Sequence, residues 1–237
     1  MRIPLFKTLL WVTIFSSAMA FLESAVVIYL RELYYPHGFS IAFKDMPQKV
    51  IIIELFREMA TIVMLVSIGW IAGKNNRTRF AWFLYSFAIW DIFYYVWLKL
   101  FINRPSNIFE WDILFLLPVT WLAPVLAPVI CSISMILFSL VIIAIDEFRP
   151  EHYINKYSWI LIITGALIIY ASFTKDYTSI IIKHEFYKDL GNMLHNAEFT
   201  NIAKTYIPES FSWGWFWIGE LLILTGIIKN LIQKNLF

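Results

Sequence analysis

Charged residues are scarce in this chain. Only 15% of its 237 residues are Asp, Glu, Lys or Arg, whereas 60% are hydrophobic and the mean hydropathy is +0.68. Water-soluble domains carry about 25% charged residues, so this chain lacks the polar side chains that would cover a water-facing surface. Lipid as the surrounding solvent removes that difficulty, and the sequence therefore predicts an integral membrane protein.

Cysteine and histidine are also sparse. The one cysteine, Cys131, lies in an apolar stretch, which excludes an intrachain disulfide and a zinc site built on several cysteines. The histidines all fall in predicted loops, and no Glu in a predicted span has a His three residues later. A haem held between two spans and a bundle-type di-iron site are therefore not expected. The histidines are His37, His152, His184 and His195.

Several catalytic and nucleic-acid-binding signatures are missing too. The chain has no Gly-rich phosphate loop, no nucleophile elbow and no His-Glu-x-x-His motif. Its net charge of +2 comes without a basic run interleaved with aromatics, which argues against nucleic acid as a partner. We therefore expect no resident cofactor. The expected partners are the lipid bilayer and other membrane subunits.

Apolar stretches are the dominant feature that is present. Crossing a bilayer takes about 20 apolar residues, and the predicted spans cover residues 8–30, 50–72, 81–102, 129–145, 157–174 and 212–232. The first resembles a secretory signal peptide up to Ala20, but its apolar run continues to Leu30, and cleavage would leave a remnant too short to cross. The sequence thus predicts an all-α, polytopic bundle of about six transmembrane helices in one domain.

A proline-rich segment precedes the fourth span. Residues 113–145 hold no charge and would form a straight helix of about 50 Å, longer than the bilayer core. Pro118, Pro124 and Pro128 fall in the first half, and proline breaks or kinks a helix. We interpret residues 112–128 as a proline-broken or re-entrant piece. The alternative is two tight spans, which would reverse the orientation of everything downstream.

Basic residues in short loops set the expected orientation. The loop 73–80 carries Lys74, Arg77 and Arg79 without an acidic residue. With six spans, the N-terminus, the loop between spans four and five, and the C-terminus fall on this same side. We therefore expect both termini in the cytoplasm and the protein in the cell membrane. The other basic residues on this side are Arg2, Lys7, Arg149, Lys156, Lys229 and Lys234.

The longest polar segment, residues 175–211, is predicted to lie outside. Apolar residues recur in it at helical spacing, which predicts an amphipathic helix on the membrane or on the end of the bundle. These residues are Phe186, Leu190, Met193, Leu194 and Ala197. Glu185 and Asp189 lie near two of the histidines, but this spacing is generic and more typical of a solvated surface than of a metal site.

Charged residues inside the predicted spans are the strongest lead to function. Each costs about 2.5–3.5 kcal/mol on insertion scales, and such residues usually face the protein interior. In the proposed topology they reach similar depths, slightly outward of the bilayer centre, with Glu54 further out. Lys99 lies near the end of the third span. The candidate site residues are Glu23, Glu54, Arg57, Glu58, Asp91 and Glu220.

The second span carries the most polar piece of any span. Glu54 and Glu58 are four residues apart and share a helix face, and Arg57 is three residues from Glu54. Asp112 is expected to cap the proline-rich segment, and Pro118, Pro124 and Pro128 to wall the site. Such a site could exchange a proton or bind a hard cation such as Mg²⁺. Alternatively, the charges only pair with one another and hold the helices in register.

These features leave three classes of function open. The first is a small transporter, a proton or cation pathway, or a subunit of a membrane complex without chemistry of its own. The second is a membrane-embedded enzyme that uses carboxylates as acid/base groups or metal ligands on an apolar substrate. The third is an assembly subunit whose acids pair with a partner's basic residues. The missing catalytic motifs favour a function without catalysis.

Overall fold

The structure, a computed structural model, describes residues 4–34, 47–151, 153–189 and 196–232. Most of this part is helical, with seven α-helices, one 3₁₀ turn at Phe186–Asp189 and one β-hairpin. The helices are α1 (Leu5–Tyr34), α2 (Gln48–Ala72), α3 (Asn76–Ile102), α4 (Leu126–Phe148), α5 (Lys156–Lys183), α6 (Ala197–Thr205) and α7 (Trp213–Ile232). The strands are β1 (Trp111–Phe115) and β2 (Trp121–Pro124).

Four of the helices, α1, α3, α4 and α5, are long and apolar enough to cross a membrane. The prediction of a mostly helical chain with membrane-type helices is therefore confirmed at this coarse level. α2 and α7, with 25 and 20 residues, lie where the sequence predicts the second and sixth spans.

Polar caps define where two of the helices begin. Asn75 accepts a hydrogen bond from the backbone N–H of Thr78, and the Thr78 hydroxyl accepts one from the backbone N–H of Asn75. This capping box satisfies two of the N–H groups that a helix start leaves unpaired. Asn155 caps α5 by accepting a hydrogen bond from the backbone N–H of Ser158 at 2.7 Å. Both caps end short loops and mark sharp turns between long helices.

The helices form two packed groups. α3 packs against α1, α2 and α4, whereas α5 packs mainly against α7. Two glycines allow the second contact, because a Cβ atom on Gly165 would meet the carbonyl oxygen of Gly219 at 2.5 Å. The reverse contact, from Gly219 to the carbonyl oxygen of Gly165, is 2.7 Å. Small residues let membrane helices approach closely in this way.

The proline-rich segment forms a β-hairpin, so the expectation of an all-α chain is wrong here. β1 and β2 pair antiparallel, with Trp111 opposite Pro124. Pro118 lies in the turn, Pro124 ends β2, and Pro128 lies in the first turn of α4, where its missing N–H leaves no helical hydrogen bond unmade. α4 therefore begins at Leu126 rather than at residue 129, and it is the one helix in the region 113–145.

The hairpin folds back against the helices instead of extending away from them. The ring of Phe115 stacks on that of Phe87 in α3, with centroids 6.1 Å apart and an interplanar angle of 14°. Leu122 in β2 is 1% exposed and packs in a cluster with Tyr177 of α5. The hairpin thus lies between the two helix groups and contacts both.

The polar segment after α5 is partly helical. Phe186 of the 3₁₀ turn and Phe199 and Ala203 of α6 are buried in the cluster that holds Leu122. The helix predicted from Phe186 to Ala197 is not described as one helix: Phe186 lies in the 3₁₀ turn, residues 190–195 lie outside the described part, and α6 begins only at Ala197. Several residues of the predictions lie outside the described part of the chain: Arg2, His37, His152, Leu190, Met193, Leu194, His195 and Lys234.

Candidate functional site

Five carboxyl groups line one cavity of about 120 Å³, which we call the acidic cavity. α1, α2, α3 and β1 each contribute side chains to it. The five acidic residues are Glu23, Glu54, Glu58, Asp91 and Asp112, and two arginines, Arg31 and Arg57, line the same cavity. The structure thus brings together the candidate site residues of the first three spans, which are Glu23, Glu54, Arg57, Glu58 and Asp91.

Arg57 connects two of the helices through its guanidinium group. Its Nε and a terminal nitrogen donate to Oε1 of Glu54, at 2.9 and 2.5 Å, within α2. The other terminal nitrogen donates to Glu23 of α1. Thr61, one turn further along α2, also donates to Glu23, at 3.4 Å. One arginine therefore holds two carboxylates, and the α1–α2 contact is an ion-paired network.

Glu58 makes a different kind of contact. Both of its carboxylate oxygens lie 3.1 Å from the backbone nitrogen of Leu116, which donates to them just after β1 ends. The side chain is 8% exposed and has no basic partner within ion-pair distance among the described residues. Glu58 therefore anchors the tip of the hairpin to α2 and adds one negative charge to the cavity when it ionises.

Asp112 is part of β1 and is buried at 5% exposure, so its predicted role as a helix cap is wrong. One carboxylate oxygen accepts from Arg31 at 3.3 Å, and the other accepts from the hydroxyl of Tyr94 at 3.5 Å. Arg31 was missed in the sequence. It lies eight residues after Glu23, which places both on one face of α1, and this spacing is the signal that could have found it.

Asp91 lies at the inner side of the acidic cavity. Ser132 of α4, which is fully buried, donates to it at 2.7 Å. Asp91 also lines a second cavity of about 400 Å³, together with Glu220. We call this the aromatic cavity, because most of its wall is aromatic and aliphatic. Asp91 thus lines both the acidic cavity and the aromatic cavity.

Glu220 does not line the acidic cavity. It lies in α7 and lines the aromatic cavity, where Asp91 is the other acidic residue in the lining. It accepts a hydrogen bond from Ser134 of α4 at 2.8 Å. Of the prolines expected to wall the site, Pro128 lines this second cavity, whereas Pro118 and Pro124 line neither. The predicted layer of acids is therefore divided between two adjoining cavities.

The loop after α3 lies at the margin of the site. Lys99 donates to the carbonyl oxygen of Pro105 at 3.0 Å on the exposed side and does not line the acidic cavity. Glu110 accepts from Arg104 at 3.0 Å and from the backbone N–H of Ser106. Partial burial raises the pKa of Glu110, but the contacts with Ser106 and Arg104 outweigh it, and the pKa is lower than usual.

The charge balance of the acidic cavity is negative if all its acids ionise. Five carboxylates face two guanidinium groups, and burial disfavours each unpaired charge. Within the described residues, no three His, Cys, Asp or Glu side chains are close enough to hold a metal ion together. The unpaired carboxyl groups of such a cavity can take up protons or have a cation beside them.

Comparisons with known proteins do not assign this chain to a family or a function. No family model, no curated protein and no solved structure matches this chain. The case for its function therefore depends on the contacts and charges described above.

Proposed function

We propose that this chain is a six-span protein of the cell membrane that moves protons, or a cation in exchange for protons, through its acidic cavity. Both termini lie in the cytoplasm in this proposal. α2 and α7 cross the bilayer together with the four helices that are long and apolar enough to do so.

The hairpin then re-enters the membrane from the outer side. Phe87, on which Phe115 stacks, lies 15 residues before the end of α3, or about 22 Å along the helix. Non-helical backbone at such depth is tolerated where it packs on protein or lines a cavity. β1 and Leu116 line the acidic cavity, which supports this placement.

The observation that carries the proposal is the excess of five carboxyls over two guanidiniums in one buried cavity. In a low-dielectric interior an unpaired carboxyl is more stable when protonated or when a cation lies beside it. Arg57 neutralises Glu23 and Glu54 only in part, and Arg31 pairs with Asp112. Glu58 and Asp91, without an ion-paired partner among the described residues, are the groups assigned to proton exchange.

The test is proton flux in liposomes that contain the purified protein and the pH indicator pyranine. An imposed pH gradient, with valinomycin and K⁺ present to dissipate the membrane potential, is expected to decay faster than in empty liposomes. Glu58→Gln and Asp91→Asn are expected to lower the protein-dependent rate at least tenfold, whereas Glu209→Gln, a matched change at an exposed residue, should leave it unchanged. Equal rates with wild-type protein and with empty liposomes would refute the proposal, as would full flux in both cavity variants.

A membrane-embedded enzyme acting on an apolar substrate is the second candidate. The aromatic cavity of about 400 Å³ favours it, because this space adjoins the carboxyl groups of Asp91 and Glu220. Such an enzyme would use these groups as acid/base catalysts or metal ligands. Metal analysis before and after chelation separates the candidates: a stoichiometric metal that is lost in Asp91→Asn supports the enzyme, and a metal-free protein with proton flux supports transport.

A further inference from the structure

The aromatic cavity contains an acidic oxygen that the protein does not satisfy. Glu220 is 1% exposed, and its Oε2 accepts from Ser134, but its Oε1 is buried with no hydrogen-bond partner among the described residues. The thiol of Cys131 is a neighbour, and a thiol is only a weak donor. Buried polar atoms almost always have a partner, so an unpaired carboxylate oxygen at a cavity wall points to a ligand.

Aromatic rings surround the same space. Trp121 of β2 is the centre of this group, with its ring centroid 5.1 Å from that of Tyr170, 5.6 Å from Phe115 and 6.0 Å from Phe173. All four residues line the cavity. Ring faces attract cations, most strongly when water is excluded. A wall of rings with carboxyl groups is thus complementary to a positive charge on an apolar body.

The volume of the cavity and its position between the helices are those expected of a small-molecule binding site. Its volume of about 400 Å³ falls within the range of about 300–1,000 Å³ that is usual for small-molecule sites. It lies between the α3–α4 pair and the α5–α7 pair, with the hairpin across one end. No described Lys or Arg side chain lines it, so the charge of Asp91 and Glu220 is not neutralised by the protein there.

We propose that the aromatic cavity binds a hydrophobic organic cation, with Glu220 and Asp91 as its counter-ions and the rings around Trp121 as its walls. Such a cation would be the substrate exchanged for protons, and in that respect the inference rests on the proposed function. The binding of the cation does not rest on the proposed function, because equilibrium binding needs no proton pathway. Asp91, which lines both cavities, is the one acid that joins the two sites.

The test uses two ions of nearly equal shape and opposite charge, tetraphenylphosphonium and tetraphenylborate. Binding is measured by equilibrium dialysis of the full-length protein in detergent micelles against protein-free micelles. Tetraphenylphosphonium is expected to bind saturably at one site per chain, and tetraphenylborate, dialysed in a separate experiment, is expected to show no saturable binding. Glu220→Gln should raise the Kd for tetraphenylphosphonium at least tenfold, and Glu209→Gln should leave it unchanged.

Further variants keep the outcome interpretable. If Glu220→Gln does not fold, as judged by gel filtration, Tyr170→Leu removes a ring from the wall and should raise the Kd at least threefold. Equilibrium binding needs no proton flux, so the two proposals fail separately: saturable cation binding without protein-dependent flux would refute the proposed function and leave this inference standing. Absence of saturable phosphonium binding, equally tight saturable binding of the borate, or an unchanged Kd for the phosphonium in the folded cavity variants would overturn the inference.

Discussion

Glu58 in α2 holds the backbone N–H of Leu116 with both of its carboxylate oxygens, each 3.1 Å from the nitrogen. An acidic side chain of one helix thus takes the place of a strand partner at the end of β1. In a protein interior that N–H has few other partners, and leaving it unpaired costs about 1–3 kcal/mol. The Glu58 side chain therefore stabilises the hairpin and, in the proposed function, also binds the exchanged proton.

Separating these two roles of Glu58 is the first prediction. Glu58→Leu removes the acceptor and is expected to lower the free energy of unfolding by about 1–3 kcal/mol. Glu58→Gln keeps an acceptor oxygen and is expected to cost clearly less. Thermal unfolding in detergent micelles, followed by tryptophan fluorescence, gives the comparison. Equal loss in both variants would mean that the negative charge, rather than the acceptor, holds the hairpin.

Removal of Arg57 is the second prediction. Arg57→Met leaves Glu23 and Glu54 without their shared partner, and breaking a buried ion pair from one side costs about 3–5 kcal/mol. Adding Glu23→Gln and Glu54→Gln to this variant should restore most of the stability, because the two carboxylates that lost their partner are then neutral amides. The measurement is again the unfolding of the purified protein.

An ion pair at the margin of the site provides the control for Arg57. Arg104 pairs with Glu110 at 3.0 Å, and the arginine side chain is 43% exposed. Exposed pairs contribute about 0–1 kcal/mol, so Arg104→Gln should have little effect on unfolding. A loss at Arg104 as large as at Arg57 would contradict the view that the acidic cavity is a low-dielectric site.

The α5–α7 contact is the subject of the third prediction. Gly165→Ala places a methyl group where the nearest atom, the carbonyl oxygen of Gly219, is 2.5 Å away. The helices must separate, and overpacking of this kind costs about 1–3 kcal/mol. Gly214→Ala is the matched control, since a Cβ there has nothing within 4 Å. The midpoint of thermal unfolding should fall for the first variant and remain unchanged or rise for the second.

Membrane orientation is the fourth prediction. In a Cys131→Ser background, Asn107→Cys and Asn76→Cys each place one thiol at an exposed position at opposite ends of α3. A membrane-impermeant maleimide should label the variant at residue 107 in intact cells. The variant at residue 76 should react only after the cells are permeabilised. The reverse pattern would invert the proposed topology, and labelling of both in intact cells would contradict the crossing of α3.

Much of the architecture can be predicted from the composition of the sequence and the positions of its charged residues. The long apolar runs predict the helices, because a helix satisfies its own backbone hydrogen bonds in lipid and needs about 20 apolar residues to cross. Glu54, Arg57 and Glu58 fall on adjacent positions of one helix, so their association follows from helical spacing alone. The convergence of Glu23 and Asp91 with them depends only on charged groups avoiding lipid, which is why these residues could be identified before the structure was known.

Other features have no local signal. After Asp112 the residues of the hairpin are almost all apolar, and such a run does not distinguish a strand from a buried helix. The contacts of Ser132 with Asp91 and of Ser134 with Glu220 depend on how α4 is rotated against α3 and α7. Serines inside apolar helices are common, and the sequence offers no rule for which of them meets an acid. The division of the acids between two cavities follows from these rotations.

Leu114 and Asp91 both line the acidic cavity and the aromatic cavity. These two side chains therefore form a wall that the two cavities share. Leu114 is apolar, and Asp91 can ionise. In the proposed function, an organic cation in the aromatic cavity and a proton in the acidic cavity therefore share one carboxyl group, that of Asp91, which would couple the movement of the two.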